Sequence, residues 1–441
     1  MSRIAIHHWA RLDTAARAQL LSRPRAAQSD EVVKQARAIV DAVRVEGDAA
    51  VRRYTARYDR VAADRLATLR ASPAEFAAAR AALAPEAVAA IARAITNVEA
   101  YHAAQQPAPL AVETMPGVRC ERIVRPITSV GLYVPSGSAP LPSTVVMLAV
   151  PARLAGCRQR ILCTAPDAEG RAAPAVLVAA QLCGIDTVIK IGGAQAIAAL
   201  AYGTESVPKV DKIFGPGNAW VTAAKQIVAA DPAGAALDLP AGPSEVLVVG
   251  DDSAQAAFVA ADLLAQAEHD TIAQAILVTD SQALATATAA EIERQLPRLS
   301  RQSILEASVR AIRLIVTDDL DTAMSVSNAY APEHLILQVR EPRRRLDAVE
   351  SAGSVFLGAW SPEPLGDYCS GANHVLPTYG HARACSGLSL ADFSKRITVQ
   401  DVSAAGLAAL GPTAATLARL EGLDAHAAAV ERRLEAIGDA R

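Results

Sequence analysis

Apolar residues change their spacing along this chain, and each change predicts a different element. Within Asp30–Glu46 they fall at positions 32, 33, 36, 39, 40 and 43, one face of a helix, and Gly47 ends it. Helical spacing persists to about residue 105. From about residue 120 the chain turns to short β-branched runs bounded by Gly and Pro, each followed by an alanine-rich stretch of helical length. That alternation predicts parallel strands joined by crossover helices. Ser129–Val134, 160–163, 187–191 and Lys212–Phe214 form a first group of strands; 245–249, 275–278, Arg313–Val316, His334–Gln338 and Ser354–Leu357 form a second. Segment 238–243, Asp-Leu-Pro-Ala-Gly-Pro, separates the groups and is the predicted crossing between domains. After Phe393 the pattern predicts helices alone, from Val402 to the end.

The predicted fold class is therefore α/β, two Rossmann-like parallel-sheet domains with helical N-terminal and C-terminal additions. Predicted boundaries are an N-terminal segment 1–31, a first domain built from 32–136 plus 246–388, a second domain 137–245, and a C-terminal helical segment 389–441. A length of 441 residues exceeds one ordinary core and agrees with two domains. Apolar residues make up 51% of the chain but aromatic ones only 4%, which favours tight packing of alanine-rich helices on sheets.

Charge narrows the partners. A net charge of -3 with interspersed signs supplies no basic field for nucleic acid, and the longest basic run, Arg343-Arg344-Arg345, reads as a solvated helix face. Six cysteines, at 120, 157, 163, 183, 369 and 385, include no Cys-x-x-Cys pair, so reduced thiols and a cytoplasmic location are the expectation. No apolar stretch approaches the roughly 18 residues of a membrane helix, and Met1-Ser2-Arg3-Ile4 opens without an apolar signal core.

The polar clusters carry the candidate chemistry. Gln266-Ala267-Glu268-His269 puts an amide and an imidazole three residues apart, neighbours on a helix. Such donors hold a divalent cation such as zinc when other ligands arrive from elsewhere, and Asp367 and His426 are the candidates for those. Taken alone, a Gln-x-x-His pair more often just faces water. Its company is Pro332-Glu333-His334, Gly366-Asp367-Tyr368, Asn373-His374 and Glu421-Gly422-Leu423-Asp424-Ala425-His426, each following Gly or Pro or capping a helix. Three further strand-to-helix loops contain glycine: Tyr133-Val134-Pro135-Ser136-Gly137, Gly192-Gly193-Ala194-Gln195 and Gly215-Pro216-Gly217-Asn218. Glycine lets a backbone approach a phosphate at the carboxyl end of a parallel strand. The G-x-G-x-x-G fingerprint is absent, so spacing alone does not give NAD.

At these residues the chain resembles the histidinol dehydrogenase family, from about Val33 to the C-terminal helix. Ordered blocks carry the likeness: Gly192-Gly193-Ala194-Gln195-Ala196-Ile197, Lys212-Ile213-Phe214-Gly215-Pro216-Gly217-Asn218-Ala219, Leu239-Pro240-Ala241-Gly242-Pro243-Ser244-Glu245, and Gly387-Leu388-Ser389-Leu390-Ala391-Asp392-Phe393. The resemblance implies one zinc ion per subunit held by Gln266, His269, Asp367 and His426, with the last contributed across an intertwined homodimer. It implies NAD contacts at Tyr133, Gln195 and Asn218; Ser136 departs from the family, which more often has glycine there. L-histidinol would be held by Ser244, His334, His374, Glu421 and the metal ligands.

The implied reaction is a four-electron oxidation of L-histidinol to L-histidine through L-histidinal, the last steps of histidine biosynthesis. It needs two proton removals, one from the alcohol as hydride leaves and one from water adding to the aldehyde. The resemblance assigns the first to His334 and the second to Glu333. Other readings stay open from the residues alone: a zinc and NAD dehydrogenase for another small polar alcohol, a thiol-dependent aldehyde dehydrogenase using Cys369 or Cys385, and a non-catalytic zinc scaffold.

Overall fold

A computed structural model describes residues 4–24, 30–136, 139–239 and 242–439. Gly137 of one candidate loop, and Pro240 and Ala241 of the crossing segment, lie outside the described residues.

The two predicted groups of strands form two separate parallel sheets. One has five strands, in the order Val188–Lys190, Gln159–Thr164, Ser129–Val134, Lys212–Phe214, Ala236–Leu237. The other has six: Ile6–His8, Arg313–Val316, Gln274–Thr279, Glu245–Gly250, His334–Gln338, Ser354–Leu357. Central strands such as Ser129–Val134 and Glu245–Gly250 are buried along their whole length, as expected of parallel strands covered by helices on both faces. Their β-branched, nearly unbroken apolar runs are what fits that environment.

Packing of the N-terminal half corrects the predicted grouping of 32–136 with 246–388. Val32, Ala36, Ile39, Val40 and Val43 of the helix Asp30–Glu46 share a core with Ala196, Ile197 and Leu200 of Gly193–Tyr202 and with Val221 and Val228 of Ala219–Ala229. The helix Pro85–Ala103 likewise packs on Pro142–Ala155. These N-terminal helices therefore cover the five-stranded sheet, to which Ser129–Val134 also belongs. The six-stranded sheet takes its edge strand from Ile6–His8, inside the segment expected to stand apart as 1–31. Three residues are too few to show a strand period.

A second correction concerns the C-terminal segment. Ser394–Val402 is a strand, antiparallel to Val118–Pro126, which in turn pairs with Leu110–Met115. It is mostly exposed and polar, and its apolar alternation is limited to Ile397 and Val399. Only then come the helices Ala404–Leu420, capped by Ser403, and Asp424–Asp439. They pack on each other and leave Leu410, Leu417, Leu420 and Leu423 exposed, Leu420 at 79%.

Candidate active site

The candidate residues gather at opposite ends of the two sheets. On the five-stranded sheet they lie at carboxyl ends, the usual ligand edge of an α/β fold. Tyr133 is buried near the end of its strand, and its hydroxyl accepts a hydrogen bond from the Gly193 N–H at 3.0 Å. Gln195 is 1% exposed, yet its Nε2 has no hydrogen-bond partner. Asn218 caps the next helix, its Oδ1 accepting from the Val221 N–H at 3.1 Å. Gly215 makes this edge possible: at φ +121° a Cβ there would stand 2.1 Å from the Tyr133 carbonyl oxygen. Lys225 and Asp238 clamp the same residue, Lys225 Nζ donating to its carbonyl at 2.9 Å and its N–H donating to Asp238 Oδ2 at 2.7 Å.

On the six-stranded sheet the site is built at the amino ends. Ser244 immediately precedes one strand, and its carbonyl accepts from the Gln274 N–H at 3.1 Å. His334 opens the neighbouring strand. Strand alternation would send Glu333 and His334 to opposite faces. Because Glu333 lies just before the strand, both instead grip one residue, Glu245. The Glu245 N–H donates to Glu333 Oε2 at 2.8 Å, and His334 Nδ1 meets the Glu245 carbonyl at 3.1 Å. A carbonyl partner makes Nδ1 the protonated nitrogen. His334 Nε2 is left 3.4 Å from Asp367 Oδ1, buried and without a hydrogen bond of its own.

Two short helical segments bring in the other donors. Gln266 lies in the last turn of the helix Ala256–Ala267, fully buried, and His269 follows two residues beyond the helix end, in the turn, exposed. Glu363 and Asp367 sit four apart on Glu363–Tyr368, hence on one face. Ligand atoms of His269, Glu363 and Asp367 all lie within 4.8 Å of one another. Oriented by its neighbours, the Gln266 amide nitrogen donates to the Glu245 carbonyl (3.3 Å) and to Glu363 Oε1 (3.2 Å), leaving its oxygen on the other side of the group. His374 Nδ1 donates to the Asp367 carbonyl at 2.7 Å, while its Nε2 meets Thr144 Oγ1 at 3.3 Å, on the helix Pro142–Ala155 of the five-stranded unit. That contact links the two sheets at the site.

Of the predicted residues, Glu333, His334, Asp367, His269, Gln266 and His374 thus assemble in one place, with Ser244 next to Glu245. Glu421 and His426 do not join them within one chain. They stand exposed around the turn between Ala404–Leu420 and Asp424–Asp439, and neither side chain makes a hydrogen bond or ion pair among the described residues. Glu363 was missed, although its four-residue spacing from Asp367 was a readable signal. Glu245 was read only as the end of a motif.

Burial and crowding of carboxylates shape the protonation states. Burial pushes Glu333 up to about 8, against the pull of His334 and the Glu245 N–H. Burial also raises Glu363 to about 8. Burial alone would depress His334, but the carboxylates of Glu363, Glu333 and Asp367 outweigh it and hold the imidazole above its ordinary value. Asp367 is drawn down despite burial by His334, His374 and His269. Desolvation lowers His269 and His374. A buried carboxyl group, an imidazole whose Nε2 has no hydrogen-bond partner and a cluster of N and O donors together suit proton transfer beside a cation.

The model of the family described as histidinol dehydrogenase matches residues 22–434. The chain belongs to that family. It is similar to histidinol dehydrogenases of Xanthomonas oryzae pv. oryzae, 57% identical over 426 residues covering 97% of this chain and 98% of the relative, and of Salmonella typhimurium, 53% identical over 418 residues covering 95% of each. The crystal structure of histidinol dehydrogenase from Elizabethkingia anophelis superposes with a TM-score of 0.93 at 44% identity, covering 99% of this chain and 98% of that one.

Proposed function

We propose that this member of a family of NAD-dependent oxidoreductases converts L-histidinol to L-histidine in two successive hydride transfers to NAD, with L-histidinal between them. Family membership over nearly the whole chain supports the overall reaction. The observation that carries the division of labour is the shared grip on Glu245. It holds one carboxylate and one imidazole side by side, buried, with His334 Nε2 unpartnered and facing the donor cluster.

In the first step the carbinol carbon of histidinol gives hydride to NAD while His334 Nε2 takes the hydroxyl proton. In the second, water adds to the aldehyde with Glu333 accepting its proton, and the hydrated carbon gives a second hydride to a second NAD. Substrate held between the amino edge of one sheet and the carboxyl edge of the other would face both this pair and the nicotinamide edge near Tyr133, Gln195 and Asn218. Ser244 and His374 would orient it.

Zinc fits the residues present. Gln266, His269 and Asp367 offer the oxygen and nitrogen donors this ion takes, Glu363 adds a fourth group, and two buried atoms at the cluster, His334 Nε2 and Glu363 Oε2, lack hydrogen-bond partners. When bound, the cation would polarise the substrate and anchor its nitrogens. Glu421 and His426 of the partner subunit would complete the site in a homodimer. The exposed leucines around their turn are the surface such a partner would cover. We infer a cytoplasmic enzyme with reduced thiols; all six cysteines are free, and no single helix among the described residues is long and apolar enough to cross a membrane.

The direct test supplies the zinc-loaded protein with L-histidinol and NAD and follows histidine by chromatography. Turnover of other small alcohols with none of histidinol would replace this reading by the related-dehydrogenase one.

A further inference from the structure

Behind the acid-base pair lies a buried ion pair that no step of the proposed reaction uses. Arg23, from the N-terminal segment, grips the fully buried Glu245 carboxylate at two points, Nε to Oε1 at 2.5 Å and Nη2 to Oε2 at 2.8 Å. The Tyr379 N–H adds a third bond to this carboxylate at 3.2 Å. Glu245 is the residue whose main chain holds Glu333, His334 and Gln266. The same Arg23 Nη2 donates to the carbonyls of Tyr330 (2.8 Å) and Ala331 (3.3 Å), and the guanidinium lies 3.8 Å over the Tyr330 ring. Ala331 is a left-handed residue, φ +55°, ending the helix Leu320–Tyr330 and turning the chain through Pro332 into Glu333.

Arg23 therefore braces the catalytic pair from two sides. One side is the peptide that hydrogen-bonds the carboxylate and the imidazole; the other is the strained turn that delivers them. A buried ion pair is weak evidence of stability in itself, because desolvation offsets its attraction. What this one supplies is orientation: a planar, two-point fork fixes a carboxylate in a way a single ammonium cannot.

We propose that Arg23 is a positioning residue for the acid-base pair, setting the place of Glu333 and His334 through Glu245. The inference rests on the reading of those two residues as base and proton acceptor. A displacement of about 1 Å at a reacting group costs roughly a hundredfold in rate. Arg23→Met in the full-length, zinc-loaded protein is expected to lower kcat about 10- to 100-fold. NAD affinity should stay within about twofold of the parent, because the nicotinamide edge belongs to the other sheet. Arg23→Lys, which keeps charge but loses the fork, should fall between, and carries the same tests if Arg23→Met does not fold.

The decisive arm measures histidinal oxidation in the Glu333→Gln background. There the Arg23 substitution should add less than about twofold, since the group it positions is already lost. A purely structural arginine would reduce the rate by the same factor in both backgrounds, and that outcome overturns the proposal. So does a folded Arg23→Met protein with kcat within twofold of the parent. Full activity of Glu333→Gln itself would instead remove the acid-base reading on which the proposal stands.

Discussion

Replacing Glu333 by Gln isolates the second half-reaction. The amide keeps the shape of the carboxylate, and its Oε1 can still accept the Glu245 N–H that now lies 2.8 Å from Glu333 Oε2, so the fold should survive. What is lost is the base. General-base contributions are on the order of 10²- to 10⁴-fold, about 3 to 5 kcal/mol of barrier. Burial sets the pH dependence. With Glu333 pushed up to about 8, the carboxylate is mostly protonated at neutrality, and the histidinal step should accelerate as pH rises toward that value. A divalent cation bound near Asp367 adds positive charge and moves this limb lower, so about 8 is its upper end. The assay supplies histidinal and NAD, records NADH from pH 6 to 9, and repeats the series with histidinol under single-turnover conditions. Glu333→Gln should lose the rising limb and the histidinal rate while the first hydride transfer from histidinol falls far less; His334→Asn should reverse that order. Equal losses in both half-reactions for both variants would refute the assignment.

Three further outcomes follow from the same geometry. His269→Asn should lose zinc and most activity but remain folded, and chelation should act alike; full zinc content in the variant, or unfolding on chelation, would contradict a catalytic metal there. Refolding a His269→Asn chain together with a His426→Asn chain should restore roughly a quarter of wild-type activity, since about half of a statistical mixture is heterodimer with one intact site; demonstrated heterodimers without recovery would place the site within one chain. Asp262, raised to about 7 by burial and opposed by the Gln338 amide 2.7 Å away, binds its proton more tightly folded than unfolded. Its contribution is therefore full below about pH 4 and lost as pH rises through about 7, a loss on the order of a few kcal/mol that Asp262→Asn should remove from the pH profile of denaturant unfolding.

Periodicity exposed what depends on apolar burial and little else. Strands such as Glu245–Gly250 and Ser129–Val134 are nearly unbroken apolar runs because both faces are covered, so most strands of both sheets could be read directly. Ile6–His8 and Ser394–Val402 escaped because one is three residues long and the other faces solvent. Assigning 32–136 to the wrong sheet has a related cause: an amphipathic helix shows that it has a buried face but not which sheet it covers. In the site, residues with a catalytic type next to Pro or Gly were legible, as with Glu333-His334 and Asp367. Glu245 and Arg23 were not, since they act through main-chain groups and a contact 222 positions apart. Asn218 shows the opposite difficulty, its side chain already engaged as a helix cap.

Product stoichiometry bears most directly on the central claim. Zinc-loaded protein supplied with limiting L-histidinol and excess NAD should form about two NADH for each histidine, because two hydrides must leave the same carbon. One NADH per histidinol consumed, with histidinal accumulating and no histidine formed, would contradict the account.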